Sequence, residues 1–498
     1  MEPAGTLERG LSVLRVLAAD PGRRMRATDL VRATGLARST VDRVLATLVH
    51  LGHLRAEGRD VLLAPPLMEL GAAYLACDGL RESLSPLAGR LAAELDESVS
   101  LAVRDGDGVR FVGQFTRRRT MSVAFRVGDL LPAGRCAAGL ALLDPAAPWA
   151  EDDQLIEPGL IAVALPVRDP DGKAACAVSV VSHTSRHTVA GLRAHALPRL
   201  RATVAEMEAV LAARAREPHH PRTGALAGPR EGGPSGTDGS RAAKEELGMG
   251  YLQSLARGLA VLVSLGSARG GCTLAESAKV TGLPRATVRR AAQTLEGLGY
   301  AAADGNRYVL LPKVLELGYA HLSGRTFGEV VQPHLADLVA RVRESASVAV
   351  LSGDDVLYVA RVPTVSIMSV NITVGTRFPA YATSMGRVLL TGLPAERVAA
   401  IEPKPLSQHT ITSPEGLAAA VRRAAADGYA LVDQELEEGV RSIAVPVHGP
   451  DGRVVAAVNV ATHASKASRD HLLRDVLPEL RRTAARMEAD LAHTGRLP

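Results

Sequence analysis

An internal repeat limits what this chain can fold into more than any other feature: whatever architecture it adopts, it adopts twice. Gly35-Leu36-Ala37-Arg38-Ser39-Thr40-Val41-Asp42-Arg43 aligns with Gly282-Leu283-Pro284-Arg285-Ala286-Thr287-Val288-Arg289-Arg290, an offset of 247. Over 35–52 and 282–299, ten of eighteen positions are identical. Leu7-Glu8-Arg9-Gly10-Leu11 matches Leu255-Ala256-Arg257-Gly258-Leu259. Further on, Pro86 falls with Pro333, Met121-Ser122-Val123 with Met368-Ser369-Val370, and Gly128 with Gly375. Ala164-Leu165-Pro166-Val167 then matches Ala444-Val445-Pro446-Val447, now at an offset of 280, so the first copy lacks about 33 residues before that point. Between the copies, 215–250 is rich in Pro, Gly and Ser and reads as a flexible linker. Its His219-His220 pair is read as solvated, with no partner ligands nearby.

Charge is distributed unevenly over this repeat. The formal net charge is +5, yet residues 1–63 carry +3 and residues 251–312 carry +4, leaving the remainder at −2. Positive charge is thus concentrated where each copy begins, as phosphate neutralisation requires. Only six of the 58 basic residues are lysine, so arginine abundance by itself carries no weight. Cys77, Cys136, Cys176 and Cys272 are scattered, with neither disulfide-framework nor metal-ligand spacing, and each reads as a small core residue. No apolar run approaches the ~18–20 residues of a membrane span, and the first 25 residues lack a signal-peptide core. A cytoplasmic protein without metal or cofactor is expected.

Each basic segment reads as three short helices and a hairpin. Leu7, Leu11, Leu14 and Leu17, like Leu255, Leu259 and Leu262, mark one face of a first helix. A second helix is expected over Thr28–Thr34 and Thr273–Thr281. A Gly-Leu turn follows, and then a third helix over Ala37–Leu51 and Pro284–Leu298. Val41, Val44 or Leu45, and Leu48 supply the buried side of that helix. Arg38, Ser39, Thr40 and Arg43 stand on its exposed N-terminal part, as do Arg285, Thr287, Arg289 and Arg290 in the second copy. That end of a recognition helix enters the major groove, where Arg pairs with guanine and hydroxyls reach bases or phosphates. Leu54–Leu63 and Ala301–Leu310 each place a Gly-containing turn between short strands, forming a wing. Arg59 and Arg307 near the tips are candidate backbone or minor-groove contacts. DNA binding is preferred to a protein-binding role because charge, turn and helix-tip chemistry agree in both copies.

The Leu-x-Arg-Gly-Leu opening and the Gly-Leu-x-Arg-x-Thr-Val helix resemble the IclR family of regulators. In the second copy the resemblance extends over Val374-Gly375-Thr376-Arg377-Phe378-Pro379-Ala380-Tyr381-Ala382-Thr383-Ser384-Met385-Gly386-Arg387 and over Val432–Pro446. These segments look most like the Pca-type subgroup, which controls aromatic-acid catabolism through the protocatechuate and β-ketoadipate route. The resemblance implies an α+β chain: two winged helix-turn-helix domains alternating with two GAF-like effector domains, each an antiparallel sheet flanked by helices. The expected boundaries are a first winged domain at 1–64, a connecting helix at 65–85, and a truncated effector domain at 86–214. The linker follows at 215–250, then a second winged domain at 251–312, a connecting helix at 313–328 and a second effector domain at 329–498. In that last domain strands are expected near Ser347–Ser352, Val356–Arg361, Met368–Ile372, Tyr429–Val432, Val440–Val447 and Val454–Ala461. Helices are expected near Val330–Glu344, Ser384–Leu390, Pro414–Asp427 and Lys466–Leu491.

The candidate ligand site comprises Tyr381, Ala382, Thr383, Ser384, Met385, Gly386, Asp433, Glu435, Ser442 and Asn459. Ala382-Thr383-Ser384 falls where a helix begins, so backbone N–H groups and two hydroxyls converge on a place suited to a carboxylate; an ordinary helix cap is the competing reading. Asp433, Glu435, Ser442 and Asn459 could meet a ring hydroxyl, although Asn459 also fits as a satisfied core amide and Arg387 and Arg441 as structural ion-pair partners. The first copy has Ala133-Gly134-Arg135-Cys136-Ala137-Ala138-Gly139-Leu140 at the corresponding segment, without the hydroxyls. Its deletion is expected to remove the helix and strand before Ala162, leaving Asp433 and Glu435 without counterparts. The expected partners are an operator in double-stranded DNA, a small carboxylic-acid effector and a second copy of the chain. An enzyme is disfavoured because nucleophile-elbow, zinc, phosphate-loop and dinucleotide signatures are missing. An architectural DNA binder without ligand is the remaining alternative.

Overall fold

The computed structural model describes residues 5–20, 24–116, 125–215, 250–364 and 372–494. Met121-Ser122-Val123, Met368-Ser369-Val370, His219-His220 and nearly all of the expected linker and 368–372 strand lie outside the described residues. The chain divides into two units, 1–324 and 325–498.

The first unit opens with α1 (Thr6–Ala19), β1 (Met25–Arg26), α2 (Ala27–Thr34), α3 (Arg38–His50), β2 (Leu54–Glu57) and β3 (Asp60–Leu63). Leu7, Leu11, Leu14 and Leu17 turn inward from α1 onto Leu30, Val41, Val44 and Leu48. Each such fully buried side chain contributes about 1.5–3 kcal/mol. Gly35 closes α2 in the left-handed region at φ 69°, where its N–H bonds the Val31 carbonyl at 2.9 Å; a side chain would strain this turn, which swings α3 across α2.

The expected connecting helix over 65–85 is instead a 3-10 turn at Pro65–Leu67, α4 (Met68–Asp78) and, after Gly79, α5 (Leu80–Leu95). The first sheet follows, with β4 (Ser98–Asp105), β5 (Gly108–Phe115), β6 (Leu130–Pro132), α6 (Ala137–Leu143), β7 (Ala150–Asp153), β8 (Leu160–Arg168), β9 (Ala174–His183) and the long α7 (Val189–Ala215). The second winged domain then repeats the first: α8 (Gln253–Leu265), β10 (Cys272–Thr273), α9 (Leu274–Thr281), α10 (Arg285–Gly297), β11 (Ala301–Asp304) and β12 (Arg307–Leu310). A 3-10 turn at Pro312–Glu316 and α11 (Tyr319–Ser323) end the unit, so the expected helix over 313–328 is likewise interrupted. One hydrophobic core runs through both winged domains, both connecting segments and the first sheet.

The second unit holds α12 (Phe327–Val342), β13 (Ser345–Ser352), β14 (Asp355–Val362), β15 (Arg377–Pro379), α13 (Ser384–Leu390), α14 (Ala395–Ala399), α15 (Pro414–Asp427), β16 (Ala430–Asp433), β17 (Val440–His448), β18 (Val454–His463) and α16 (Arg469–His471). A π turn at Leu472–Val476 leads into α17 (Leu477–Thr494). Its six strands pair antiparallel in the order β15-β14-β13-β18-β17-β16. Alternation along the strands gives the sheet two covered faces. Val348, Ile443, Val458 and Val460 pack with α12 and α17. Ala349, Tyr358, Ala444 and Ala457 pack with α13, α14 and α15.

The first sheet has the same order, β6-β5-β4-β9-β8-β7. This corrects the expected loss of a strand: β7 pairs with β8 through Ala150–Ala164 and Asp153–Ile161, as β16 pairs with β17 through Ala430–Ala444 and Asp433–Arg441. The shorter copy drops the region occupied by α14 and α15, and its chain runs directly from α6 to the edge strand. Asp153 is therefore the counterpart of Asp433, and Leu155 that of Glu435. A six-strand sheet survives because an edge strand needs only one neighbour, whereas an outer helix layer is dispensable once the surface beneath it is repacked.

All four cysteines are buried free thiols. Among the described residues no helix is long and apolar enough to cross a membrane.

Candidate functional site

The two winged domains meet through their first helices. A Cβ built on Gly10 would sit 2.3 Å from Leu255 Cδ1, and one on Gly258 would sit 2.6 Å from Leu7 Cδ1. Leu7 and Gly10 correspond to Leu255 and Gly258, so the two contacts are one contact made twice, the signature of an isologous, two-fold interface. The winged domains are thus paired within a single chain, each with its recognition helix.

Those helices are not alike. Arg38, Ser39 and Arg43 of α3 are exposed and Thr40 partly so. The Arg38 Nε stands 2.9 Å from both carboxylate oxygens of Asp42. In α10 the position of Asp42 is held by Arg289, and Arg285, Arg289 and Arg290 are all exposed, with Thr287 half-buried. Among the described residues none of these three arginines has a side-chain hydrogen bond or ion pair. Arg59 is exposed at the first wing tip, and Asn306 takes its place in the second. Arg307 departs from its expected role: its guanidinium donates to the Gly271 carbonyl at 2.8 Å and faces Glu276 at 3.4 Å. Glu276 also closes the cap of α9 through Thr273. Arg307 lies on the first residue of β12, paired across the sheet with Thr273, and so braces the wing against α9.

In the second unit the ten expected ligand residues separate into two groups. Seven are committed to structure. Thr383 Oγ1 accepts from Gly386 N at 2.9 Å, a helix cap. Tyr381 Oη donates to the Lys404 carbonyl at 3.1 Å. Ala382 and Met385 are fully buried, and a Cβ on Gly386 would strike the Ala380 carbonyl at 2.0 Å. Asp433 accepts from Arg441 Nε and Nη2, each at 2.9 Å, and this pairing holds its carboxyl below the usual range. Glu435 forms a buried ion pair with Arg387 and also accepts from Ile411 N at 3.3 Å. The helix opened by Thr383 has only seven residues, so its dipole offers little to an anion.

The other three converge on the sheet face beneath α13. Ser384 Oγ meets Ser442 Oγ at 2.8 Å. Asn459 lies beside Ser347 on β13 and Ala444 on β17, is 4% exposed, and its Oδ1 has no hydrogen-bond partner among the described residues. A buried polar atom left unmatched costs about 1–3 kcal/mol, which a ligand or water placed there recovers.

Arg361 is a further member of this face. Val359 is a bulge: Tyr358 pairs with Ala349 and Ala360 with Val348, so the alternation shifts by one. Ala360 and Val362 then pack on the α12 and α17 side, and Arg361 between them projects to the α13 side in one ladder row with Ser347 and Asn459. Burial draws its guanidinium pKa below the ordinary value, opposed in part by Tyr358.

Two family models account for this architecture. One, described as the IclR helix-turn-helix domain, matches residues 6–58 and 254–305; the other, the bacterial transcriptional regulator IclR C-terminal domain, matches 72–157 and 320–489. The chain belongs to the IclR family. It is 44% identical over 235 residues to the Pca regulon regulatory protein of Pseudomonas putida, covering 46% of this chain and 81% of that protein. It is 34% identical over 243 residues to the p-hydroxybenzoate hydroxylase transcriptional activator of Acinetobacter baylyi, covering 47% of this chain and 90% of that protein. Among solved structures it is similar to a double mutant of the inducer-binding domain of the PobR transcription factor from Acinetobacter in complex with 3-hydroxybenzoic acid. That match has 31% identity and a TM-score of 0.30, covering 32% of this chain and 97% of that one. The chain is an IclR-family DNA-binding transcriptional regulator with effector domains, and not an enzyme.

Both IclR effector domains can be compared position by position. Ser384, Ser442, Asn459 and Arg361 of the second become Ala137, Ala162, Ser179 and Gln114 in the first. The buried pair Arg387–Glu435 becomes Leu140 and Leu155. Phe125 stacks on Phe111 at 4.4 Å between ring centroids and packs into the same side of the first sheet, where the second domain has Ile372 and Tyr358. The first domain has thus lost both hydroxyls at the helix start and the buried ion pair, while keeping a polar row of Ser100, Gln114 and Ser179 in which Ser100 Oγ donates to Gln114 Oε1 at 2.6 Å. His183 and His463 are alike in both domains, each Nδ1 accepting from the N–H of the serine two residues on, at 3.0 and 3.2 Å. This is a turn brace that needs no ligand.

Proposed function

We propose that this chain is an effector-responsive transcription regulator that reads a two-part operator with both recognition helices of one molecule. The reciprocal packing of Leu7 on Gly258 and Leu255 on Gly10 carries this reading, because it pairs the two readers as a dimer interface would. The halves of the operator differ, since α3 offers an Arg38–Asp42 pair where α10 offers Arg285 and Arg289. Arg43, Arg290, Ser39, Thr40, Thr287 and the wing residue Arg59 supply backbone and base contacts around these. Footprinting on DNA from the protein's own upstream region is expected to protect an unequal site spanning both halves; protection of one half alone would sink the idea. R285A is expected to cost about 1–3 kcal/mol and to relax preference at one base pair, whereas R38A, whose guanidinium is already held by Asp42, has the smaller effect.

The effector is a small organic acid held in the second effector domain. The polar face of Ser384, Ser442 and Asn459 supports this, present there and replaced in the first domain. Relatives named for the pca regulon and for p-hydroxybenzoate hydroxylase support a setting in aromatic-acid catabolism. The chain acts as a homodimer, a pseudo-tetramer of IclR units. We take the domain boundaries as 1–64 and 251–312 for the winged domains and 86–214 and 329–498 for the effector domains, whose leading helices α5 and α12 begin earlier, at Leu80 and Phe327. Calorimetry with protocatechuate, 4-hydroxybenzoate and β-ketoadipate tests the sensor reading. Heat that is lost on changing Ser384 or Ser442 supports it, and the absence of heat with every acid leaves an architectural DNA binder.

A further inference from the structure

We propose that Asp42, on the exposed side of α3, is the residue that makes the two half-sites unequal: its carboxylate reads the exocyclic amine of a cytosine where α10 reads a guanine. This rests on the reading of the chain as a paired reader of a two-part operator and adds to it the discriminating residue and the bases it selects.

The first turns of the two reading helices differ at few places. Arg38, Thr40 and Arg43 of α3 recur as Arg285, Thr287 and Arg290 of α10, and only Ser39 and Asp42 change, to Ala286 and Arg289. An arginine common to both helices cannot tell one half-site from the other. At Asp42, by contrast, a side chain that only accepts is exchanged for one that only donates. The charge changes with it, Arg38, Asp42 and Arg43 giving +1 and Arg285, Arg289 and Arg290 giving +3.

Asp42 is exposed and accepts from Arg38 Nε through both oxygens at 2.9 Å, one helical turn away. Among the described residues it has no other hydrogen-bond partner, so each oxygen keeps a lone pair for a further donor. Docking α3 in a major groove carries this carboxylate toward a phosphate-lined surface, which repels it unless a donor lies opposite. The base donors in that groove are the amines of cytosine and adenine, and adenine sets its N7 acceptor beside its amine, lone pair against lone pair with a carboxylate. Cytosine has no such acceptor, and the guanine paired with it offers O6 and N7 to Arg38. On α10, Arg285 and Arg289 stand one turn apart with like charge, an arrangement that repels within the helix and is relieved by the two acceptors of guanine. Because both readers belong to one chain, an operator with one cytosine half and one guanine half is bound in a single orientation.

Selection from randomised duplexes with the full chain, followed by anisotropy at one salt concentration on the enriched site and its single-base-pair variants, is carried out for the wild type, D42R and R289D. The wild type is expected to enrich a two-part site whose halves, written toward their common axis, differ by cytosine in one and guanine in the other. Changing that cytosine to guanine is expected to cost the wild type about tenfold or more in affinity. D42R is expected to reverse the preference and to enrich a symmetric site with guanine in both halves. R289D, the reciprocal variant on the other helix, is expected to enrich a symmetric site with cytosine in both. A D42R chain that still enriches the wild-type site overturns the assignment. So does one that binds every duplex more tightly by the same factor, the result of added charge alone. A wild-type site with identical halves also overturns it and leaves the paired readers standing. A wild type that enriches only a single half-site overturns the paired reading itself.

Discussion

Replacing Glu435 alone with leucine is expected to destabilise the second effector domain by about 3–5 kcal/mol, whereas replacing Arg387 and Glu435 together with leucine is expected to cost less than about 2 kcal/mol. Both partners of this pair are buried, Arg387 at 5% exposure and Glu435 at 9%. The single variant strands a guanidinium out of water with no carboxylate and with an Nε already unmatched. Charge burial on that scale is among the few mechanisms that make a single substitution severe. The double variant removes both charges and installs what the first effector domain has in their place, Leu140 and Leu155. Its residual cost is the Ile411 N–H, which loses its acceptor; an orphaned donor is worth about 1–3 kcal/mol, offset by the leucines' own burial. Urea denaturation of the four members of the cycle, with the slope checked for constancy, measures the coupling. A double variant as unstable as the sum of its singles would mean that the pair does not act as a unit. An E435L chain of wild-type stability would mean that Arg387 finds another anion.

That cycle also separates two roles that the sequence leaves superimposed. Glu435 and Asp433 read equally well as ligand acceptors or as partners of arginine, because a carboxylate beside a strand end has the same spacing in both cases. Only the fold brings Arg387, 48 positions earlier, onto Glu435 and closes Arg441 on Asp433. Ser384, Ser442 and Asn459 were legible because helix start and strand alternation place them on one face without further information. Arg361 was not. Strict alternation from Tyr358 turns Ala360 inward and Arg361 outward, and the bulge at Val359 reverses that; a one-residue slip exchanges every side chain between faces. The helix limits at Ser384–Leu390 and Pro414–Asp427 were set by Thr383, Ser413 and Gly428, residues whose local chemistry stops or starts a helix whatever lies around it. The strand β7 was concealed for another reason. The deletion ends directly before it, leaving a four-residue strand in which only Ala150 and Asp153 match Ala430 and Asp433, too little to find without the ladder.

The pairing of the winged domains sets the other large effect. Substituting valine at both Gly10 and Gly258 is expected to lower affinity for a duplex bearing both half-sites by about 100-fold or more, and to leave affinity for a single half-site within a few fold. A Cβ at either position would approach a leucine methyl to 2.3 or 2.6 Å, well inside van der Waals contact. Leu255 is fully buried and Leu7 nearly so, and neither has room to swing aside. Overpacking of this kind typically costs about 1–3 kcal/mol per site and is relieved by moving the helices apart. The readers α3 and α10 are carried on those helices, and half-site spacing on the duplex is fixed by geometry, so displaced readers cannot both dock. What is lost is the gain from engaging two linked sites at once, on the order of 10²–10⁴, while each winged domain keeps its own groove contacts. Fluorescence anisotropy on paired and single half-site duplexes at one salt concentration reads the two affinities separately, with circular dichroism confirming that helix content is retained. Equal losses on both duplexes would indicate unfolding. An unchanged paired-site affinity would mean that the Leu7–Gly258 and Leu255–Gly10 contacts do not set the spacing of the readers.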